Sequence, residues 1–202
     1  MLSITLELDE QKINRTSKNG PIGVNENLYR QLINVVSRTE QRAMTVPDLR
    51  AHLLRLRRDT RPHPDWLIAL GVGVACAAFG RLMGADWRGV VPIFLASGLG
   101  QTLRWKLAVR HINVFVSAGL VAFSSSFFCA LASGWAGSRT VPIDMTAAVL
   151  LLVPGVALFN ALYDILEGRP TVGSARAVSV IIMLAFMTAG VWMAQSLLGM
   201  SL

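Results

Sequence analysis

The sequence predicts an all-α polytopic membrane protein with five transmembrane helices and a small α+β segment ahead of them. Hydrophobic residues make up 53% of the 202 residues and charged residues only 15%. Mean hydropathy is +0.50, higher than a soluble domain of this size needs for its core. The apolar residues also gather in runs of about 20, the length that crosses a bilayer as a helix.

The first segment, residues 1–62, is expected to lie outside the membrane. Residues 1–65 hold 11 of the 19 Lys and Arg residues and 8 of the 12 acidic residues. The stretch "LSITLEL" alternates polar and apolar residues, which is typical of a half-buried strand. The later stretch "TSKNGPIG" has the composition of a turn.

Two amphipathic helices are predicted to follow the strand. The first begins near Asn25, and the second follows Thr45, which can cap it together with Asp48. Their apolar stripes are Leu28, Leu32, Val35 and Val36 in the first helix and Val46, Leu49, Leu53 and Leu56 in the second. One strand and two short helices bury too little surface to be stable alone, so we expect this segment to be incomplete or to pack on another element.

Residues 63–202 are predicted to form the membrane domain. The first stretch of the chain lacks the features of a cleavable signal peptide, so the first span is expected to act as the insertion signal. Pro92 and Gln101 interrupt the second predicted span and leave it a short apolar part. The five predicted spans run from Trp66 to Met83, Trp87 to Leu103, Ile112 to Trp135, Val141 to Leu166 and Val178 to Leu198.

The basic residues are distributed unevenly between the predicted loops. With the N-terminus in the cytoplasm, 16 of the 19 Lys and Arg residues lie on the cytoplasmic side, in residues 1–65, in a predicted loop with Arg104, Lys106 and Arg110, and in a predicted loop with Arg169 and Arg176. The positive-inside rule then favours an N-in, C-out orientation. The net charge of +7 is explained by this topology and by anionic lipid headgroups at the bilayer surface, so nucleic acid is not expected as a partner.

The fourth predicted span, "LLLVPGVALFNALYDILEGRP", carries a Pro-Gly pair and three polar residues. Pro154 removes a backbone hydrogen bond and Gly155 weakens the next turn, so the helix should kink or break there. The freed backbone groups need protein or water, because lipid cannot satisfy them. Asn160, Asp164 and Glu167 share one face, and a broken span with inward polar groups is how secondary transporters build a midplane site.

A structural role is the alternative for these polar residues. Asp164 near a helix end could simply be neutralised by Arg169 or Arg176, and Asp144 is expected to act as a cap or first-turn acid. Ser124, Ser125 and Ser126 in the third span could serve packing. Further candidates for a solute path are Gln101, Asn113, Ser125 and Asp144.

Enzymatic chemistry is not expected. Cys76 and Cys129 fall inside predicted spans as small packing residues, and no Cys/His spacing indicates a metal or another cofactor. His111, at the membrane surface, is about 20 Å along the helix from the serine cluster that begins at Ser124, which is too far for a nucleophile and its base.

The stretch "LLLVPGVALFNALYDILEGRPTVGSARAV" resembles the corresponding segment of the threonine/serine exporter (ThrE) family. "HPDWLIALGVGVACAAFGRLMGADWRGVVPIFLAS" is similar to the first two spans of that family, and "RWKLAVRHINVF" to the following loop. The likeness extends over about residues 20–200 and is strongest to the short YjjP-type members. These usually carry about fifty further residues before the strand at Leu2, which suggests an N-terminally shortened chain.

The resemblance implies a subunit of an exporter in the bacterial inner membrane. Its solutes would be small polar or anionic metabolites, either threonine and serine or C4-dicarboxylates such as succinate. The partner would be a small YjjB-type membrane subunit in a hetero-oligomer. The residues expected to line or shape the path are Pro154, Gly155, Asn160, Asp164 and Arg176. A non-transporting membrane scaffold or assembly factor is the alternative.

Overall fold

The structure, a computed structural model, describes residues 2–8, 11–17, 26–40, 48–49, 51, 53–55 and 64–199. The chain divides into two compact units, Met1–Pro62 and His63–Leu202. All the candidate path residues fall in the second unit.

A β-hairpin opens the first unit. Strand β1 (Leu2–Leu8) is the alternating stretch of the sequence, and it pairs with the antiparallel strand β2 (Gln11–Ser17), with Leu8 opposite Gln11. The second strand was not predicted. It includes the first two residues of the stretch that we interpreted as a turn, because "QKINRTS" has a single apolar residue and gives almost no alternating signal.

Helix α1 (Glu26–Glu40) begins close to the predicted position. Val35 on its apolar stripe is buried, whereas Tyr29 and Ile33, outside the stripe, are exposed. Residues 48–49, 51 and 53–55 are also helical, within the predicted second helix. The expected cap at Thr45 lies outside the described residues.

Six helices form the described part of the second unit. They are α2 (Asp65–Leu82), α3 (Trp87–Val109), α4 (Val114–Trp135), α5 (Val141–Val149), α6 (Gly155–Leu166) and α7 (Pro170–Leu197). A single 3-10 turn, Leu150–Leu152, follows α5.

The prediction of five spans is not confirmed. Among the described helices, α2, α4 and α7 are long and apolar enough to cross a membrane, and α5 with α6 would make a fourth span if the bent pair crosses as one. Helix α3, which covers the second predicted span, has 23 residues but does not reach that apolar character. Pro92, Gln101, Thr102 and Arg104, together with several glycines, lower its hydropathy.

Small residues let the helices pack closely. A Cβ on Gly73 of α2 would come within 2.9 Å of the Phe94 carbonyl oxygen on α3, and a Cβ on Gly190 of α7 would overlap the Gly119 carbonyl on α4. Such contacts between backbones are what holds helices together in lipid, where burying larger apolar side chains offers no advantage.

Helix α6 is packed differently from the others. Its main neighbour is α7, and only Ala161 and Asp164 of its twelve residues are buried. Large apolar side chains on its other faces are exposed, including Val156, Phe159 and Leu166. In this chain, α6 and the first half of α7 therefore form a helical hairpin with much unpartnered apolar surface.

Candidate functional site

The fourth predicted span is broken at the Pro-Gly pair, as the sequence predicts. The two helical parts on either side are bent by 60°. The Val153 N–H donates to the Leu150 carbonyl at 3.1 Å and the Gly155 N–H to the Val153 carbonyl at 2.9 Å. Both bonds span fewer residues than the four of an α-helical bond. The Gly155 N–H, which would donate to the Leu151 carbonyl in a continuous helix, therefore leaves that carbonyl without its helical donor.

The freed carbonyl has a donor from another helix. Nη1 of Arg104, on α3, lies 3.3 Å from the Leu151 oxygen. The sequence predicts that a loop begins at Arg104, but Arg104 lies inside α3, about 8 Å along the axis from Val109. The sequence could not predict this position, because a charged residue after an apolar run indicates the end of a span.

Asp164, near the end of α6, is 5% exposed and forms an ion pair with α7. Its Oδ2 lies 2.8 Å from Nη1 of Arg176, and its Oδ1 lies 3.4 Å from Nη2 of Arg169. Arg169 also contacts Glu167. The Arg176 N–H is not aligned with Oδ2, so this buried oxygen accepts no hydrogen bond from the described residues. The sequence-based alternative of an acid neutralised by Arg169 or Arg176 thus matches the observed geometry.

Two glycines make this ion pair possible. Gly168 has φ +77° at the turn between α6 and α7, a conformation that side chains rarely adopt. Gly173 of α7 packs so closely on α6 that a Cβ would lie 2.7 Å from the Ala161 carbonyl oxygen. The close approach of the two helices brings Arg176 next to Asp164.

The other predicted path residues do not gather around this pair. Pro154 is half-buried at the break and Gly155 beside it is exposed. Asn160 is exposed on α6, and its side chain makes no hydrogen bond within residues 64–199. An uncompensated amide among exposed apolar side chains is costly in lipid, so Asn160 requires water or a group from another chain.

A second polar cluster joins the loops before α3 and α5. Asp144 is fully buried, and its carboxylate accepts from the Ser138 hydroxyl at 2.7 Å and the Thr140 hydroxyl at 3.2 Å. Asp144 forms no ion pair with the described residues. Asp144 lies in the first turn of α5, as predicted. It is more deeply buried than a typical first-turn acid.

Asp86 completes this cluster and caps α3. It accepts from the Gly89 N–H, the Ser138 hydroxyl and the Arg139 N–H. The Arg139 backbone N–H, followed by these other donors, lowers the pKa of Asp86 below its ordinary value. Asp86 was not singled out from the sequence, although an Asp directly before a helix is a common N-cap signal.

The three remaining candidates have different surroundings. Asn113 caps α4, because its side-chain oxygen accepts a hydrogen bond from the Phe115 N–H at 2.9 Å. Gln101 is half-buried on α3, one turn before Arg104. The Ser125 hydroxyl on α4 is buried and has no hydrogen-bond partner in the described structure.

An apolar groove of about 350 Å³ lies beside the break, between α5 and α7. Its two threonine hydroxyls, of Thr146 and Thr188, are already bonded to carbonyls of their own helices. The remaining polar side-chain groups of this mainly apolar groove are those of Trp192 and Gln195. The described residues also contain no group of three His, Cys, Asp or Glu side chains that could hold a metal ion.

Comparison with known proteins identifies the family. The family model described as "Putative threonine/serine exporter" matches residues 1–198. The "Probable succinate transporter subunit YjjP" of Escherichia coli K12 is 32% identical over 199 residues, which cover 98% of this chain and 77% of that protein.

The protein of the same name from Klebsiella aerogenes is 31% identical, over 98% of this chain and 76% of its own length. No solved structure matches the chain. With its apolar helices, the chain is a multi-pass membrane protein, and it belongs to the threonine/serine exporter family.

Proposed function

We propose that this chain is a subunit of a secondary exporter of small polar metabolites, working with a YjjB-type partner in the bacterial inner membrane. The family match and the relatives named as succinate transporter subunits support export. The candidate solutes are threonine, serine and C4-dicarboxylates such as succinate. The proposed orientation is N-in, C-out, because most basic residues then lie on the cytoplasmic side.

The observation that carries this proposal is the break at Pro154 in an otherwise apolar helix pair. A broken span leaves backbone groups that only protein or a water-lined cavity can satisfy. Transporters use such breaks to form a polar site inside the bilayer. Pro154 and Gly155 would shape the path, and Asn160, Asp164 and Arg176 would lie along it.

The exposed Asn160 of α6 supports the need for a second membrane chain. Its amide has no hydrogen-bond partner within residues 64–199, whereas the exposed Val156, Phe159 and Leu166 of the same helix can face lipid. A partner helix would complete a polar path at Asn160. The relatives' designation as subunits agrees with such an assembly.

In the proposed mechanism the two parts of the broken helix move separately. Helix α6 contacts mainly α7, so it can move while α7 stays packed on α4 and α5 stays packed against α3 and α4. This motion would expose the polar site to either side of the membrane in turn. Proton motive force is the proposed driver, and collapsing the proton gradient should then abolish active efflux.

A membrane scaffold remains the second candidate, because Asp164 is already paired within the chain. Both candidates predict that Asp164 matters, but they differ in what its loss removes. A scaffold should lose protein level or assembly when the pair is broken. A transporter should lose efflux from protein that is still present in the membrane.

The test compares Asn160→Ala and Asp164→Asn with the control Phe159→Ala, which removes an exposed apolar side chain from the same helix. Cells expressing the chain with the partner are loaded with threonine, serine or succinate. We expect normal membrane levels for all three variants and lost efflux only for the first two. Loss of the variants from the membrane would instead favour the scaffold.

A further inference from the structure

Arg104 carries a charge that the described chain does not neutralise. Its side chain is half-buried inside α3, and its one hydrogen bond, to the Leu151 carbonyl, is long at 3.3 Å. It forms no ion pair with an acid of residues 64–199. A guanidinium has five N–H donors, so most of its donor capacity is unused by the protein.

Other arginines of the same unit are better compensated. Arg169 and Arg176 are about half exposed and pair with Asp164, while Arg81 lies over the Trp87 ring, 4.3 Å from its centre. Holding a cation away from water without a counter-ion is unfavourable. An arginine such as Arg104, beside a helix break and without a counter-ion, is suited to binding an anion reversibly.

A second unused donor lies against α3, one turn before Arg104. The Ser125 hydroxyl is buried without a partner, although a serine in a helix commonly bonds to a carbonyl of the preceding turn. It points at Gly100, one turn before Arg104: a Cβ on Gly100 would overlap the Ser125 oxygen and lie 3.4 Å from Leu151 Cδ2. Ser125, Gly100 and Leu151 therefore meet beside the break.

We infer that Arg104 binds a carboxylate group of the exported solute at the helix break, with the Ser125 hydroxyl as an additional donor. The inference rests on the proposed export function, and it adds a second cation, positioned at the break, to the path residues of α6 and α7. A planar guanidinium matches a carboxylate with two parallel N–H bonds. A bound carboxylate would compete with the Leu151 carbonyl for the guanidinium, and this links solute binding to the broken helix.

Equilibrium binding of radiolabelled succinate to the full chain in lipid nanodiscs tests the inference. Arg104→Gln loses one charge-assisted contact, so its dissociation constant for succinate should be about tenfold higher or more than that of the wild type. Arg104→Lys, which keeps the charge but loses the paired geometry, should fall between this variant and the wild type. The control is Arg88→Gln on the same helix, because Arg88 also donates to a carbonyl, that of Gly137, at 3.2 Å.

A purely structural role predicts another pattern. If Arg104 only holds the Leu151 carbonyl, Arg104→Gln lowers the thermal midpoint without solute and leaves succinate affinity unchanged, which overturns the inference. Absence of binding of succinate, threonine and serine by the wild-type chain also overturns it. Equal weakening by Arg88→Gln does so as well, because the effect would then not be specific to the break.

A measurement on the wild-type chain avoids any folding defect of the variants. Phenylglyoxal modifies accessible guanidinium groups, and mass spectrometry can follow the peptide containing Arg104. Succinate should slow modification of this residue and leave that of Arg88 unchanged; equal rates with and without succinate would contradict the inference. Export assays test the proposed function separately, so a chain that binds succinate at Arg104 yet exports nothing would refute the function alone.

Discussion

Two buried aspartates of the membrane unit are held in opposite ways. Asp164 lies between α6 and α7 and faces two arginine side chains that are themselves half exposed. Asp144 is fully buried and has only the hydroxyls of Ser138 and Thr140 as side-chain donors in the described structure. The first arrangement depends on a neighbouring charge, and the second on a close fit of small polar groups.

This difference indicates which region can change its structure. The Asp144 cluster ties the loops before α3 and α5 together with many short contacts, so it should behave as a rigid anchor. The Asp164 pair joins two helices that otherwise expose much apolar surface, and its cations can reorient towards water. We therefore expect conformational change at the α6–α7 hairpin rather than at the Asp144 cluster.

The largest effect is expected from filling the space beside Asp144. A Cβ on Gly89 would overlap the Asp144 carboxylate, so Gly89→Ala should reduce the free energy of unfolding by about 3 kcal/mol. Gly71→Ala is the matched control, because a Cβ there meets nothing within 4 Å. Thermal unfolding in nanodiscs measures both, and equal midpoints for the two variants would refute the close fit.

Removing the Asp144 carboxylate should have the next largest effect. Asp144→Ala leaves the Ser138 and Thr140 hydroxyls without this acceptor and should cost about 2 kcal/mol of stability. Asp65→Ala, at an exposed first-turn acid of α2, should change stability by less than about 0.5 kcal/mol. If the thermal midpoints of both variants match that of the wild type, Asp144 is not part of a stabilising anchor.

A smaller effect is expected from the Asp164–Arg176 pair, because Arg176 is half exposed to solvent. A double-mutant cycle with Asp164→Asn and Arg176→Gln should give a coupling energy of about 1 kcal/mol. The same cycle with Arg139→Gln, in the loop before α5, should give none. A coupling energy of zero in the first cycle would contradict a stabilising Asp164–Arg176 pair and would leave Asp164 available to bind a solute.

The smallest effect concerns the pH dependence of stability near Asp86. Its pKa in the folded chain is lowered from 3.8 mainly by the Arg139 backbone N–H, so its contribution is present above that value and lost as pH falls below it. The thermal midpoint of the wild type should therefore drop faster at acidic pH than that of Asp86→Asn. Parallel pH curves for the two proteins would contradict this assignment.

The break in the fourth predicted span could be predicted because its cause is local. Proline lacks the N–H that a helix interior needs, whatever surrounds it. The amphipathic helix at Glu26–Glu40 was also predictable from its spacing. Strand β2 was not, since a strand with one apolar residue is recognised by its pairing with β1 and not by its own pattern.

The site residues were harder to predict because their roles depend on other helices. Asp164 and Arg176 lie twelve residues apart, and only the close packing at Gly173 brings them together. Arg104 was assigned to a loop, since hydropathy treats every charge as an end of a span, whereas its bond to Leu151 depends on a break 47 residues later. Contacts of this range leave no periodic signal in the sequence.

The measurement that tests the central claim most directly is solute efflux from bacterial cells expressing this chain with and without a YjjB-type partner. Threonine, serine and succinate are loaded in parallel, and both proteins are quantified in the membrane fraction. We expect efflux of at least one of these solutes only when both chains are present. No efflux of any of them, with both proteins in the membrane, would contradict the proposal that the chain is an exporter subunit.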